Sequence, residues 1–343
     1  MKLSDYHYPL PPERIAQTPA QPRDASRLLV LGRTAPRLED RRFRDLPELL
    51  LPGDLLVAND TRVIPARLLG RKDSGGRAEV LLLHRESHDC WEALVRSAKR
   101  SRPGTRITIG GSLSVVVEET RGDGVYGVRL VADGDPVAAV EALGSMPLPP
   151  YIRRDAAEPR DREWYQTRFA AADKHGSAAA PTAGLHFSDA VLAALNERGV
   201  ERAAVTLHVG LGTFLPVRVE KLDEHPMHRE WYEVPEAAAI AVNRALDEGR
   251  RVVAVGTTTT RVLEHCSRSG RVAPGSGWTE LFIRPGHPWQ VVGGLVTNFH
   301  LPESTLLVLV AAFAGRERVL NAYRHAVQAG YRFYSYGDAM VVL

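Results

Sequence analysis

Apolar residues along this chain fall in short runs, each closed by a polar or glycine-rich loop. Leu28–Leu31 and Leu55–Ala58 are unbroken apolar stretches of the kind expected for buried strands, and Pro52-Gly53 marks a turn before the second. From Ile64 to Leu148 the texture changes. Ala78–Leu83, Trp91–Val95, Arg106–Ile109, Leu113–Val117 and Val125–Val131 follow one another, separated by Gly75-Gly76, Pro103-Gly104, Gly110-Gly111 and Gly122-Asp123-Gly124. Repeated short strands with glycine-rich turns predict a small β-barrel, with a helix only near Val137–Leu143. Pro147-Leu148-Pro149-Pro150 is the return linker.

Beyond Ser188 helical and extended patterns alternate. Ser188 suits the N-cap of a helix Asp189–Arg198, and Gly199 its C′ position. A strand Ala203–Val209 follows, then a helix Pro235–Glu248 that opens on proline and stops at Gly249. Strands Val252–Val255, Glu280–Ile283 and Val291–Val296, a helix after Gly256 and two final helices complete the set. Such alternation predicts an α/β class chain with substantially parallel strands. The expected architecture is a layered α/β main domain, residues 1–63 and 149–343, interrupted by an inserted β-barrel domain, residues 64–148.

Length and composition fit this picture. The chain has 343 residues, 44% hydrophobic and 25% charged, enough for two domains with real cores. Its two cysteines, Cys90 and Cys266, lack CxxC spacing, which argues against a disulfide framework or a cysteine zinc site and for a reducing compartment. The start, Met1-Lys2-Leu3-Ser4-Asp5-Tyr6, lacks the apolar core of a signal peptide. The longest apolar run, Leu306–Ala314, is half a membrane span at best and reads as a buried helix. A cytoplasmic protein without membrane attachment is expected. The net charge of +3 gives no strong overall field, so a nucleic acid would be held by local patches. Arg96, Lys99, Arg100, Arg102 and Arg106 form one such patch on the barrel, suited to RNA phosphates or simply to solvent; Arg153 and Arg154 add a weaker one.

In open α/β sheets ligands collect beyond the carboxyl ends of the strands. Four strands here end in polar loops: Asn59-Asp60-Thr61-Arg62, His208-Val209-Gly210-Leu211-Gly212-Thr213, Gly256-Thr257-Thr258-Thr259-Thr260-Arg261 and Thr297-Asn298-Phe299-His300. Together they predict one common site. The glycine-rich loop after His208 lacks the third glycine of a dinucleotide fingerprint. The threonine run at a helix start can bind a carboxylate or phosphate, or merely cap the helix. Arg261 in the first turn opposes the helix dipole, which favours an anion or ion-pair role. His186, His208, His228 and His300 lie in or beside loops, without zinc-ligand spacing, so no metal is expected; histidine is a natural proton carrier, and Asp60 and Glu230 are carboxylate alternatives.

Longer blocks carry a resemblance. Pro22-Arg23-Asp24-Ala25-Ser26-Arg27-Leu28, Asn59 through Arg67, Leu148-Pro149-Pro150-Tyr151-Ile152, Ala180-Pro181-Thr182-Ala183-Gly184-Leu185-His186-Phe187 and Leu207 through Phe214 come in order. Trp231-Tyr232-Glu233-Val234, Gly275-Ser276-Gly277-Trp278-Thr279, Thr297 through Pro302 and Tyr336-Gly337-Asp338-Ala339-Met340 continue them. In these blocks, end to end, the chain resembles the S-adenosylmethionine:tRNA ribosyltransferase-isomerase family of queuosine biosynthesis. It departs from the family pattern at Leu215 (usually arginine), at Thr259-Thr260 (more typically Ser-Val) and at Glu303 (frequently lysine).

The resemblance implies a substrate tRNA carrying 7-aminomethyl-7-deazaguanine at the wobble position. It also implies S-adenosylmethionine as a consumed substrate rather than a cofactor. The sulfonium acidifies the adjacent C5′ proton, so a placed base forms an ylide and adenine leaves as the sugar opens. The aminomethyl nitrogen adds, the ring recloses, and methionine departs as the epoxide forms, giving epoxyqueuosine-tRNA. On this reading His186 and His300 carry protons, Asp60 orients one of them or the substrate, and Thr257, Thr258, Arg261 and Asn298 hold the methionine and ribose ends. Arg96, Lys99, Arg100 and Arg102 meet tRNA, no metal is needed, and the enzyme is expected to be a monomer. Two other readings compete: an S-adenosylmethionine methyltransferase, disfavoured because no acidic-Gly-x-Gly loop follows a first long strand, and an RNA-binding module without chemistry.

Overall fold

The computed structural model describes residues 1–154, 158–210, 220–225 and 227–343. Leu215 and the rest of the glycine-rich loop beyond Gly210 lie outside the described residues.

One nine-stranded sheet runs in the order Gly275–Thr279, Glu230–Val234, Glu201–Leu207, Leu55–Asn59, Val252–Val255, Val292–Asn298, Ala339–Val342, Arg27–Leu31, Leu38–Arg42. Its centre, from Glu201–Leu207 to Val292–Asn298, is parallel. Ala339–Val342 pairs antiparallel with Val292–Asn298 and parallel with Arg27–Leu31, while the strands at both edges are antiparallel. The expected α/β class therefore holds, with parallel pairing concentrated at the centre.

The unbroken apolar runs are explained by burial on both faces. Because side chains alternate along a strand, Leu55 and Val57 face one layer and Leu56 and Ala58 the other. The first layer contains the helices Glu236–Asp247, Gly256–Cys266, Thr305–Ala314 and Arg316–Gln328, through Val242, Val262, Leu263, Val310 and Tyr323. The second packs Phe43, Leu46, Phe187, Val191 and Leu195 on Leu28, Val253, Val296 and Val341. Each fully buried leucine or valine contributes about 1.5–3 kcal/mol. The Asp189–Glu197 helix begins as its sequence suggests: Ser188 Oγ accepts from the Val191 N–H at 3.2 Å, and Gly199 follows its end at φ 78°.

A second core fills a closed six-stranded barrel. Its strands, in order around the barrel, are Val125–Ala132, Cys90–Ser97, Arg77–Arg85, Arg67–Lys72, Arg106–Gly110 and Leu113–Gly122. Asp135 caps the helix Pro136–Leu143 that lies against it.

The Glu280–Ile283 strand does not form. The sheet instead uses Gly275–Thr279, an edge strand too small and polar to show an apolar pattern. Leu281–Ile283 is a connection in which Leu281 and Phe282 are half-buried and Ile283 is buried, and the Leu281 carbonyl accepts from Arg261 Nε at 3.0 Å. Pro235 likewise stands just before its helix, as N-cap. Leu306–Ala314 belongs to the buried helix Thr305–Ala314, and no helix among the described residues is long and apolar enough to cross a membrane.

Candidate active site

A cavity of about 450 Å³ opens beyond the carboxyl ends of the central strands. One wall starts where Val252–Val255 turns directly into the Gly256–Cys266 helix. Gly256, at φ 89°, makes that turn, a conformation a side chain would strain. The threonine run splits by helical geometry. Thr259 and Thr260 donate back to the carbonyls of Val255 and Gly256 and are buried in the core. Thr257 and Thr258 line the cavity, in the turn whose N–H groups have no intrahelical acceptor.

Arg261, one turn on, is 6% exposed. Its Nη1 pairs with the Glu230 carboxylate, whose other oxygen accepts from the Gly210 N–H at 3.1 Å. Arg261 Nη2 is buried without a hydrogen-bond partner among the described residues. Glu230 thus answers the unfavourable charge at the helix start, and one guanidinium nitrogen is left to spend. Both residues line the cavity.

Asn298 ends the Val292–Asn298 strand and ties three segments together. Its Nδ2 donates to His186 Nε2 and to the Tyr334 carbonyl, both at 3.1 Å, and its Oδ1 accepts from the Thr182 hydroxyl at 3.1 Å. His186 stands behind Asn298 rather than on the cavity wall. Its Nδ1 meets Ser26 Oγ at 2.9 Å, so both ring nitrogens are occupied, and the ring stacks on Phe43. Burial, with Arg332 and Arg23 nearby, pulls its pKa down to about 3. His300 does line the cavity. Thr297 Oγ1 meets its Nε2 at 2.8 Å, and burial brings its pKa down to about 3 as well. Both imidazoles are therefore neutral at pH 7.

Asp60 does not reach the cavity. It is 8% exposed, accepts from Thr206 Oγ1 at 2.7 Å, and has its pKa raised chiefly by burial. Its loop serves the sheet: Asn59 exchanges hydrogen bonds with the Leu207 backbone, and Thr61 Oγ1 meets His208 Nδ1 at 2.7 Å. Of the four polar strand ends, those at Gly256, Asn298 and Val209 meet at the cavity and the Asn59–Arg62 end does not.

Sequence reasoning missed an aromatic wall. Tyr151 and Tyr334 stack with ring centroids 4.5 Å apart, and the Tyr151 hydroxyl meets Ser335 Oγ at 2.6 Å. Tyr334 sits at φ 70°, a strained conformation for a residue with a side chain, and its hydroxyl is buried without a hydrogen-bond partner among the described residues. Burial raises its pKa, so it stays a phenol and a donor. Tyr151 lies within a family-like block, but no periodicity announces its stacking on a residue so distant in the chain.

Arg96, Lys99, Arg100 and Arg102 are exposed on the barrel and away from this cavity, with Arg96 3.8 Å from Glu79. In the second patch, Arg154 is spent on Asp161 at 2.9 Å.

The whole chain, and not the cavity alone, matches a known family: a model described as queuosine biosynthesis protein aligns with residues 3–342. The chain belongs to that family. Among its relatives are proteins named S-adenosylmethionine:tRNA ribosyltransferase-isomerase. The one from Syntrophotalea carbinolica is 53% identical over all of both chains. That from an Anaeromyxobacter species is 56% identical over all of this chain and 99% of its own length. The crystal structure of a family member, S-adenosylmethionine tRNA ribosyltransferase from Thermotoga maritima, is 39% identical. It covers 99% of this chain and 100% of its own, with a TM-score of 0.57.

Proposed function

We propose that this chain transfers and isomerises the ribosyl group of S-adenosylmethionine onto 7-aminomethyl-7-deazaguanine in tRNA, giving epoxyqueuosine-tRNA, adenine and methionine. The observation that carries this reading is the buried Arg261–Glu230 pair on the cavity wall, with Arg261 Nη2 unpartnered among the described residues, beside Thr257 and Thr258 at a helix N-terminus. A guanidinium nitrogen and the N–H groups of the helix's first turn suit the methionine carboxylate.

In this reading Asn298 positions the ribose through the cavity frame it holds, and His186 acts on Asn298 as a positioning residue. His300, neutral and with Nδ1 free of protein partners among the described residues, accepts or relays the C5′ proton. The Tyr151–Tyr334 wall takes the adenine ring. Asp60 supports the sheet end and touches no substrate. S-adenosylmethionine is consumed, with no metal and no resident cofactor. The barrel, residues 64–148, is an inserted domain that presents Arg96, Lys99, Arg100 and Arg102 to tRNA. The enzyme works as a cytoplasmic monomer.

The test mixes the protein with S-adenosylmethionine and tRNA bearing the aminomethyl-deazaguanine. Free adenine with methionine is expected. S-adenosylhomocysteine would indicate a methyltransferase, and RNA retention without turnover a binding module; either overturns the proposal.

A further inference from the structure

A second, smaller cavity of about 250 Å³ lies where the barrel meets the sheet. The barrel supplies His84, Glu92, Arg121 and Asp123, and the sheet edge supplies Trp231 and Trp278. Two residues, His228 and Glu230, line both this groove and the larger cavity, so the two share a wall.

The groove has an aromatic rim. Trp278 lies on the edge strand directly opposite Trp231 and remains 40% exposed. The Arg229 guanidinium lies over its indole, 4.7 Å from the ring centroid, and His84 from the barrel meets it edge-on at 4.7 Å. Trp231 is already covered, stacked by His208 at 4.9 Å. An indole left half-open beside an arginine is a surface for another π-face.

Charge narrows the class of ligand. Arg121 is committed to Glu86, Glu92 and Glu119, and Glu230 to Arg261. Asp123 and Arg229 add one charge of each sign. Walls of mixed sign repel a phosphate as much as they attract it. They suit a neutral aromatic ring rich in donors and acceptors, which describes a nucleobase.

We propose that this groove seats the target base of the RNA, unstacked from its loop, against Trp278, with its aminomethyl arm passing the shared wall of His228 and Glu230 into the larger cavity. This rests on the reading that tRNA is the substrate. The chemistry requires the exocyclic amine of that base to reach a sugar held in the larger cavity, and a groove sharing a wall with that cavity provides the approach. Taking a base out of its stack is unfavourable, and a stacking surface offsets that loss.

The test uses the full chain, wild type and with Trp278→Ala or Trp278→Phe, and an anticodon stem-loop carrying either the aminomethyl-deazaguanine or an abasic site there. Trp278→Ala is expected to weaken binding of the modified stem-loop roughly ten- to a hundredfold. Trp278→Phe should recover most of it, with S-adenosylmethionine affinity unchanged in both. The abasic site should cost the wild type a similar factor and the alanine variant almost nothing. Because no phosphate contact is lost, the slope of log Kd against log salt should stay the same. The proposal is overturned if the abasic stem-loop binds wild type as tightly as the modified one, if both RNAs lose equally in Trp278→Ala, or if the salt slope flattens. The abasic comparison on wild type needs no variant to fold. Absence of ribosyl transfer by the wild type would instead overturn the reading of function, so the two failures are distinguishable.

Discussion

Acidification should unfold this protein through histidines long before its carboxylates matter. His186 and His300 have pKa values pulled down to about 3 and His208 to about 4, all by burial. A lowered folded-state pKa means that the unfolded chain binds more protons than the native one from pH 6.5 down to those values. Their contribution is therefore complete above about pH 6.5 and is lost as pH falls toward 3–4. At about pH 4.5, two units below the ordinary value, each imidazole costs about 2–3 kcal/mol, since one unit is about 1.4 kcal/mol. If the three titrate independently they remove about 8 kcal/mol, comparable to the whole stability of many domains. Asp60, with its pKa raised, acts in the opposite direction, and Asp40 and Glu86, with theirs lowered, matter only at lower pH. The assay is guanidinium unfolding from about pH 7.5 to 4.5, in wild type and in His186→Gln. Stability should fall steeply below pH 6.5, and the variant should lose about a third of that slope. A flat profile to pH 5, or NMR titration of these imidazoles near pH 6.5, would refute the reasoning and restore a charged histidine to the chemistry.

Three further outcomes are expected. Arg261→Lys keeps the charge beside Glu230 but loses the planar fork, so S-adenosylmethionine affinity measured by calorimetry should fall at least about tenfold; an unchanged Kd would remove Arg261 from the binding site. Tyr334→Phe deletes a hydroxyl that is desolvated and unpaired among the described residues, so urea unfolding should show about 1 kcal/mol of added stability together with weaker S-adenosylmethionine binding; a loss of stability would mean that the hydroxyl has a structural partner. Ser188→Ala removes an N-cap and the bond to Asp24 Oδ2, and should cost about 1–2 kcal/mol with no change in ligand affinity.

The sequence was most readable where a local rule acts alone. Glycine turns delimit the barrel strands, Ser188 and Gly199 bracket their helix, and Val252–Val255 is uniformly apolar because both of its faces are covered. It was least readable where long-range pairing decides. Gly275–Thr279 becomes a strand through its antiparallel register with Glu230–Val234, not through its own pattern, and Leu38–Arg42 is a polar edge strand set by Arg27–Leu31. The site divides in the same way. Strand-end position located Thr257, Thr258, Asn298 and His300, because the rule for open sheets is topological. It also put Asp60 forward, and a loop position put His186 forward, since no one-dimensional pattern distinguishes a polar residue that faces a ligand from one that holds its neighbour. Glu230 gained its importance from Arg261, and Tyr334 from a backbone angle and a stacking partner, neither of which is written locally.

The place of the last strand in the large sheet also bears on how the protein is made. Ala339–Val342 lies between Val292–Asn298 and Arg27–Leu31, so the earliest strands have no place to dock until residues near position 342 have left the ribosome. The barrel, continuous from Arg67 to Ala132, can close during synthesis while those strands wait. In that interval Leu28–Leu31 has only the polar strand Leu38–Arg42 beside it, and its apolar faces need shelter. Slow translation or a missing end should therefore show first as chaperone dependence and insoluble protein, with the cavity residues themselves intact.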